Sequence, residues 1–230
     1  MPELSPRWPV VVFDLDGTLV DTIGLIVASY QHAFTTVLGA AEDEERIRGW
    51  IGQPLIRGLR EVSPQHADVL YETYLAWNHA NTERLIRRYA GVDSLLSQLA
   101  AAGVRVAAAT SKLKGPAEEA IRLTGLAGHV TTLVTMEDTE QHKPDPAPLL
   151  LALDRLGASP SEAAYVGDAV VDVQAARNAG MAAVAVTWGA GARDGLVEAA
   201  PDVLVESVGE LFAALVPASE GRAMSAEAGT

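Results

Sequence analysis

At 230 residues with 49% hydrophobic side chains, the chain is long enough to bury one large core with room for a smaller insertion, and a disordered protein is excluded. A formal net charge of -13, with three lysines against fourteen arginines, leaves no basic stripe for a nucleic-acid backbone, so no nucleic-acid partner is expected. The absence of cysteine excludes disulfides, thiolate catalysis and cysteine metal sites, and fits a reducing compartment.

The opening residues Met1 to Arg7 lack a basic region followed by a long apolar stretch. No run approaches the roughly 18 apolar residues of a membrane helix, so a cytoplasmic protein with no membrane partner is expected. The first apolar run, Val10 to Phe13, predicts a buried strand and leads directly into Asp14-Leu15-Asp16-Gly17-Thr18. From about Asp21 to Ala90 the pattern is helical. It predicts a helix over Ile23 to Leu38, a short charged one near Glu42 to Arg48, one after Pro54 and one from about Pro64 to Tyr89. Beyond it, apolar runs suited to strands recur at Val104 to Ala109, Val130 to Val134, Ala163 to Val166, Ala182 to Val186 and, weakly, Val203 to Val205. Leu95, Leu96 and Leu99 give a helical apolar face before the second run, and Leu149, Leu150, Leu153 and Leu156 give another before the fourth.

Strands alternating with helices imply an α/β fold with a parallel sheet covered on both faces. The expected division is a core over 1–20 and 91–216, an inserted all-helical cap over 21–90, and a flexible tail over 217–230. Open parallel sheets bind ligands at the carboxyl ends of their strands, where such a cap would sit.

Four polar signals follow the runs. Asp14 and Asp16, two apart in extended chain, point the same way and can share one pocket, where a divalent cation would relieve their repulsion. Such a pair suits a carboxylate nucleophile with a neighbouring acid/base. Thr110-Ser111-Lys112 follows the second run, His142-Lys143-Pro144-Asp145-Pro146 the third, and Gly167-Asp168-Ala169-Val170-Val171-Asp172 the fourth. Alone these read as a helix cap, a solvated lysine and a turn.

Together, in this order and with one at each strand end, the four motifs resemble those of the haloacid dehalogenase-like (HAD) hydrolase superfamily, in the branch with a small helical cap. The resemblance spans about Val10 to Leu215. It implies a Rossmann-like core and the following roles. Asp14 would be the nucleophile that becomes an aspartyl-phosphate, and Asp16 the general acid and then base. Mg²⁺ would be held by the Asp14 carboxylate, the Asp16 backbone carbonyl and Asp168, with Asp172 reaching it directly or through water. Lys143 would neutralise Asp14 and the phosphoryl oxygens. Thr110, Ser111 and a helix opening after Ser111 would bind the phosphoryl group.

Within that superfamily, Asp16 disfavours a dehalogenase, and a cap without lysine disfavours a phosphonatase. Ile26 stands where sugar phosphomutases similar to the beta-phosphoglucomutases carry histidine. The resemblance is greatest to phosphoglycolate phosphatases and to PpaX-type bacterial pyrophosphatases, through Ile51-Gly52-Gln53-Pro54-Leu55, Tyr74 to His79 and Thr187-Trp188-Gly189. It implies a Mg²⁺-dependent phosphatase for a small phosphorylated metabolite, acting as a monomer or homodimer. A mutase is the second expectation, and a non-catalytic regulatory binding protein the third. Gln53 and Arg57 are the expected cap contacts to substrate, the alternatives being a helix cap for Gln53 and a solvated helix position for Arg57. Asn78 and His79 either face the site or pack within the cap, and Trp50 and Trp188 are expected to pack.

Overall fold

The structure, a computed structural model, describes residues 6–217. Residues 218–230, nearly all of the expected tail, lie outside the described residues. The chain begins with β1 (Val10–Phe13) and β2 (Val20–Asp21), then α1 (Ile23–Leu38), α2 (Glu44–Trp50), α3 (Leu55–Val62), α4 (Ala67–Leu85) and β3 (Arg87–Arg88). It continues with α5 (Val92–Ala101), β4 (Arg105–Ala109), α6 (Lys114–Leu123), β5 (Thr132–Val134), α7 (Ala147–Leu156) and β6 (Ala163–Gly167). The last elements are α8 (Val170–Ala179), β7 (Ala182–Val186), α9 (Arg193–Glu198), β8 (Val203–Val205) and α10 (Val208–Leu215).

Six strands form one parallel sheet in the order β5-β4-β1-β6-β7-β8. Side chains of a strand alternate between faces, and β1 divides accordingly. Val11 and Phe13 join Leu95, Leu96, Leu99 and Leu211 in the core on one face, while Val10 and Val12 join Leu149, Leu153 and Val173 on the other. All four β1 residues are fully buried, which is why the strand reads as a continuous apolar run. A fully buried side chain of this size contributes about 1.5–3 kcal/mol over an exposed one. The chain reverses its direction of travel along the sheet between β4 and β6, on either side of β1, and this switch point opens a crevice at the strands' carboxyl ends.

Helices α1 to α4 carry a separate apolar cluster centred on Tyr30, Phe34, Trp50, Leu59 and Leu70. Two features correct the expected continuous helix up to Tyr89. A short 3-10 turn at Pro64–His66 precedes α4, and α4 ends at Leu85, after which Ile86 is extended. Arg87 and Arg88 then pair antiparallel with Asp21 and Val20, so the inserted segment leaves and rejoins through a two-stranded ribbon. No helix among the described residues is long and apolar enough to cross a membrane.

Candidate active site

Asp14, Thr110 and Asp168 directly follow β1, β4 and β6, whereas Lys143, expected at the end of β5, stands nine residues beyond it, after a 3-10 turn at Met136–Asp138. The Asp14 N–H donates to Val166 O (2.8 Å), extending the β1–β6 ladder by one residue, and the Thr110 N–H donates to Val134 O (2.9 Å) in the same way beyond β4. Asp14, Thr110, Lys143, Asp168 and Asp172 all lie buried at this end of the sheet. Lys143 Nζ sits 3.0 Å from Asp14 Oδ1 and 2.6 Å from Asp172 Oδ1. It also donates to the Tyr165 hydroxyl at 3.1 Å, and that hydroxyl donates to Ala109 O at 2.9 Å. Asp14 Oδ1 nevertheless has no aligned hydrogen bond. Its contact with the ammonium is a charge contact.

Asp168 is held from three sides. Its Oδ1 accepts from the Thr18 hydroxyl at 2.8 Å and its Oδ2 from the Ala190 N–H at 2.7 Å. Gly17, Gly189 and Gly191 press close enough that a Cβ at any of them would collide with this residue. Trp188 closes the same corner, its indole N–H donating to Thr18 O at 3.2 Å while its ring packs against Tyr89. Asp172 sits in the first turn of α8, where its Oδ2 accepts from the Ala169 N–H at 2.9 Å.

Electrostatics match this crowding. Burial pushes the Asp14 carboxyl well above the usual range, Lys143 opposes the shift, and Asp172, Asp168 and Asp16 add to it. Burial, followed by Asp172, lifts Asp168 to about 7 against the pull of its hydrogen bonds and Lys143. Burial disfavours a charged Lys143, but Asp14 and Asp172 outweigh it and hold its pKa well above the usual value. Oxygens of Asp14, Asp168 and Asp172 lie within 4.8 Å of one another. A buried cluster of hard oxygens, one without a hydrogen bond, fits a divalent metal ion.

Asp16 lies outside that cluster. It accepts from the Thr22 hydroxyl at 2.6 Å, and both its oxygens take Lys112 Nζ, at 3.0 and 3.1 Å. Thr22 stands at the N-cap of α1 yet makes no cap bond, because its hydroxyl goes to Asp16. The parts played by Lys112, Thr18, Thr22 and Tyr165 are not visible from sequence. Lys112 has one local signal, its place directly after Thr110-Ser111.

A cavity between sheet and helices is lined by Asp14, Asp16, Thr110, Ser111 and Lys112 from below and by Gln53 and Asn78 from above, among apolar side chains. The upper segment is closed down: the Ser111 hydroxyl donates to Gly52 O at 2.8 Å. Gly52 has φ +90, and a Cβ there would lie 3.3 Å from Ala169 and Val171. Gly52→Ala should therefore cost about 1–2 kcal/mol in backbone strain and lift the loop, lowering both Tm and kcat/KM for every substrate; an unchanged kcat/KM would show that this contact does not matter.

Three expectations need correction. Arg57 is exposed and does not line the cavity; it lies two residues from the lining Leu55, and that spacing sends helix side chains to opposite faces. His79 is 80% exposed and faces Glu119 at 3.5 Å, while its neighbour Asn78 turns inward to Ser29 Oγ at 2.9 Å. The helix after Ser111 does not offer a free positive end, since the Lys114 N–H at the start of α6 donates to the Glu137 carboxylate at 2.9 and 3.0 Å. Gln53 does line the cavity, but its amide donates to Gly49 O at 3.0 Å, near the end of α2, and does not cap α3.

A buried carboxylate at the end of the central strand, paired with lysine and beside an aspartate cluster, defines a hydrolase site of the kind the motifs resemble. The profile of the family described as haloacid dehalogenase-like hydrolase matches residues 11–186, and the chain belongs to that family of enzymes. Among its relatives, pyrophosphatase PpaX of Bacillus velezensis is 36% identical over 206 residues, covering 90% of this chain and 95% of that protein. Pyrophosphatase PpaX of Anoxybacillus flavithermus is 32% identical over 205 residues, covering 89% and 95%. The crystal structure of a predicted phosphatase from Clostridium acetobutylicum superposes with TM-score 0.81 at 26% identity, covering 89% of this chain and 96% of that one.

Proposed function

We propose that the protein is a Mg²⁺-dependent phosphatase that hydrolyses small phosphorylated metabolites through an aspartyl-phosphate on Asp14. The observation that carries the reading is the Asp14 carboxylate, buried against Lys143 and facing a cavity shared with Asp16. In the first step an Asp14 oxygen forms a bond to phosphorus, the bond from phosphorus to the leaving oxygen breaks, and that oxygen takes a proton from Asp16. In the second, water attacks the phosphoryl group, gives its proton to Asp16, and phosphate departs as the Asp14 carboxylate is restored. Lys143 neutralises the phosphoryl oxygens, and the Thr110 hydroxyl and Ser111 donate to them; Ser111 must leave Gly52 to do so. Asp14, Asp168, Asp172 and the Asp16 backbone carbonyl would hold Mg²⁺. When bound, the metal supplies charge stabilisation for the phosphoryl oxygens.

The names of the PpaX relatives support pyrophosphate as a candidate substrate, and the motif resemblance supports phosphoglycolate beside it. Ile26 lines the cavity as an apolar side chain, which supports hydrolysis over a mutase. The reading places the enzyme in the cytoplasm as a monomer or homodimer. Phosphate release from phosphoglycolate, pyrophosphate, sugar phosphates and nucleotides, with and without Mg²⁺, tests it. Beryllofluoride, a phosphoryl mimic, should be trapped by the wild type and not by Asp14→Asn. Arg57→Ala should leave the ranking of substrates unchanged, whereas Gln53→Ala should alter it several-fold. The reverse result would return Arg57 to the site.

A further inference from the structure

The cavity between sheet and helices carries one cation in its own lining. Among the described residues that line it, Lys112 is the single lysine or arginine. Its ammonium lies on Asp16, 3.0 Å from Oδ1 and 3.1 Å from Oδ2, and the Thr22 hydroxyl takes Oδ1 as well at 2.6 Å. The side chains of the ion pair are each only 12% exposed. The backbone of Lys112 is fixed at the site, its N–H donating to Thr110 Oγ1 at 3.2 Å and its carbonyl accepting from the Met136 N–H at 3.0 Å. A lysine anchored by its backbone keeps a flexible four-carbon stem, so the ammonium can move while its anchor stays in place.

This pairing stands in the way of the reaction. Under the phosphatase reading the leaving oxygen must come within hydrogen-bond reach of an Asp16 oxygen, and the ammonium occupies both of them. It must give up at least one when substrate enters. A largely buried ammonium that loses its anion and gains no other is strongly disfavoured. The protein offers no replacement nearby: Asp14 already faces Lys143, and the remaining polar side chains of the lining are neutral. The second anion must therefore arrive with the substrate. Lys143 and the aspartate cluster serve the transferred phosphoryl group, whereas Lys112 lies on Asp16, the residue that meets the leaving oxygen, so that anion belongs to the leaving side.

We infer that Lys112 is the specificity residue for the leaving group: it moves from Asp16 to an anionic group on the leaving side of the substrate, a carboxylate or a second phosphate, and so frees Asp16 to meet the leaving oxygen. This rests on the phosphatase reading above and uses the same step. The bond from phosphorus to the leaving oxygen breaks, that oxygen takes its proton from Asp16, and Lys112 remains an ammonium throughout. An ester whose leaving alcohol is uncharged gives the ammonium no reason to leave Asp16 and reacts slowly.

The test uses the full chain with Mg²⁺ and compares kcat/KM for phosphoglycolate, pyrophosphate and ethyl phosphate. Phosphoglycolate and ethyl phosphate differ by a carboxylate in place of a methyl group, and any difference in leaving-group basicity cancels when their ratio is compared between wild type and variant. Lys112→Met should cut the ratios of phosphoglycolate and of pyrophosphate to ethyl phosphate at least about tenfold, and Lys112→Arg, which keeps the charge, should cut them less. Binding alone should show the same preference: 3-phosphonopropionate should inhibit the wild type at a Ki at least about tenfold below that of propylphosphonate, and Lys112→Met should close that gap. Equal losses on all three substrates would mean that Lys112 acts only on Asp16, and would overturn the inference while leaving the phosphatase reading in place. Equal Ki values for the two phosphonates on the wild type would overturn it in the same way, even if both variants fold poorly. No phosphate release by the wild type from any of the three would overturn the phosphatase reading, and this inference with it.

Discussion

Asp14→Asn is expected to lower kcat on the order of 10⁴-fold or more while the fold persists. The substitution removes the anion proposed to attack phosphorus and changes the side-chain volume little. Its effect on stability should run opposite to its effect on activity. In the metal-free protein Asp14 belongs to a buried group of three carboxylates served by one ammonium, and burial and the neighbouring acids push its carboxyl upward. A neutral amide relieves that crowding and leaves Lys143 its 2.6 Å partner Asp172. The metal-free variant should therefore melt at or above the wild-type Tm, and Mg²⁺ should stabilise it less. Wild-type turnover by Asp14→Asn, in protein free of contaminating phosphatase, would remove Asp14 from the nucleophile's role. A Tm several degrees below wild type in the absence of metal would show that the Lys143 contact outweighs the repulsion.

The sheet is legible in the sequence because its strands are buried on both faces, so that Val10 to Phe13 and Ala182 to Val186 appear as unbroken apolar runs with turn and polar residues at their ends. The HAD-like resemblance rests on the same economy, since Asp14, Thr110 and Asp168 each follow directly on the last residue of a strand, and only Lys143 stands further off, nine residues beyond β5. What stays hidden depends on pairing between distant segments or on helix rotation. Val20-Asp21 and Arg87-Arg88 are too short to show a period of two, and an arginine pair carries no apolar signal, so the ribbon they form does not stand out from the helical pattern around it. Lys112 reaches Asp16 across 96 positions, and no local pattern encodes that contact. Thr22 looks like an ordinary start for α1, yet its hydroxyl serves Asp16. Arg57 differs: with Leu55 and Leu59 turned inward, the helical period already places it outward, and only its nearness to the Gly52-Gln53 loop suggests otherwise.

Chelation of the metal should abolish activity and give stability a pH dependence of unusual sign. Asp168 is lifted from 3.8 to about 7, first by burial and then by Asp172, and Asp14 is raised as well. Between the ordinary carboxyl range and about pH 7 the metal-free native state thus holds protons that the unfolded chain has lost, so ΔG of unfolding falls as pH rises through this window. A tenfold difference in proton affinity between the two states corresponds to about 1.4 kcal/mol, and for a chain of this size each kcal/mol moves Tm by about 2–4 °C. In excess EDTA the Tm should accordingly drop by on the order of 5–10 °C from pH 5 to pH 7.5. Mg²⁺, held as proposed, would bind the ionised carboxylates, which only the native arrangement brings together, so it should restore most of that loss at pH 7.5 and little at pH 5. Asp168→Asn should flatten the metal-free profile and raise the Mg²⁺ concentration needed for activity at least tenfold, because it removes both the titrating group and a ligand. A metal-free Tm that rises steadily across the same interval, with no added stabilisation by Mg²⁺ at its upper end, would mean that the cluster is held together by Lys143 alone and is no metal site.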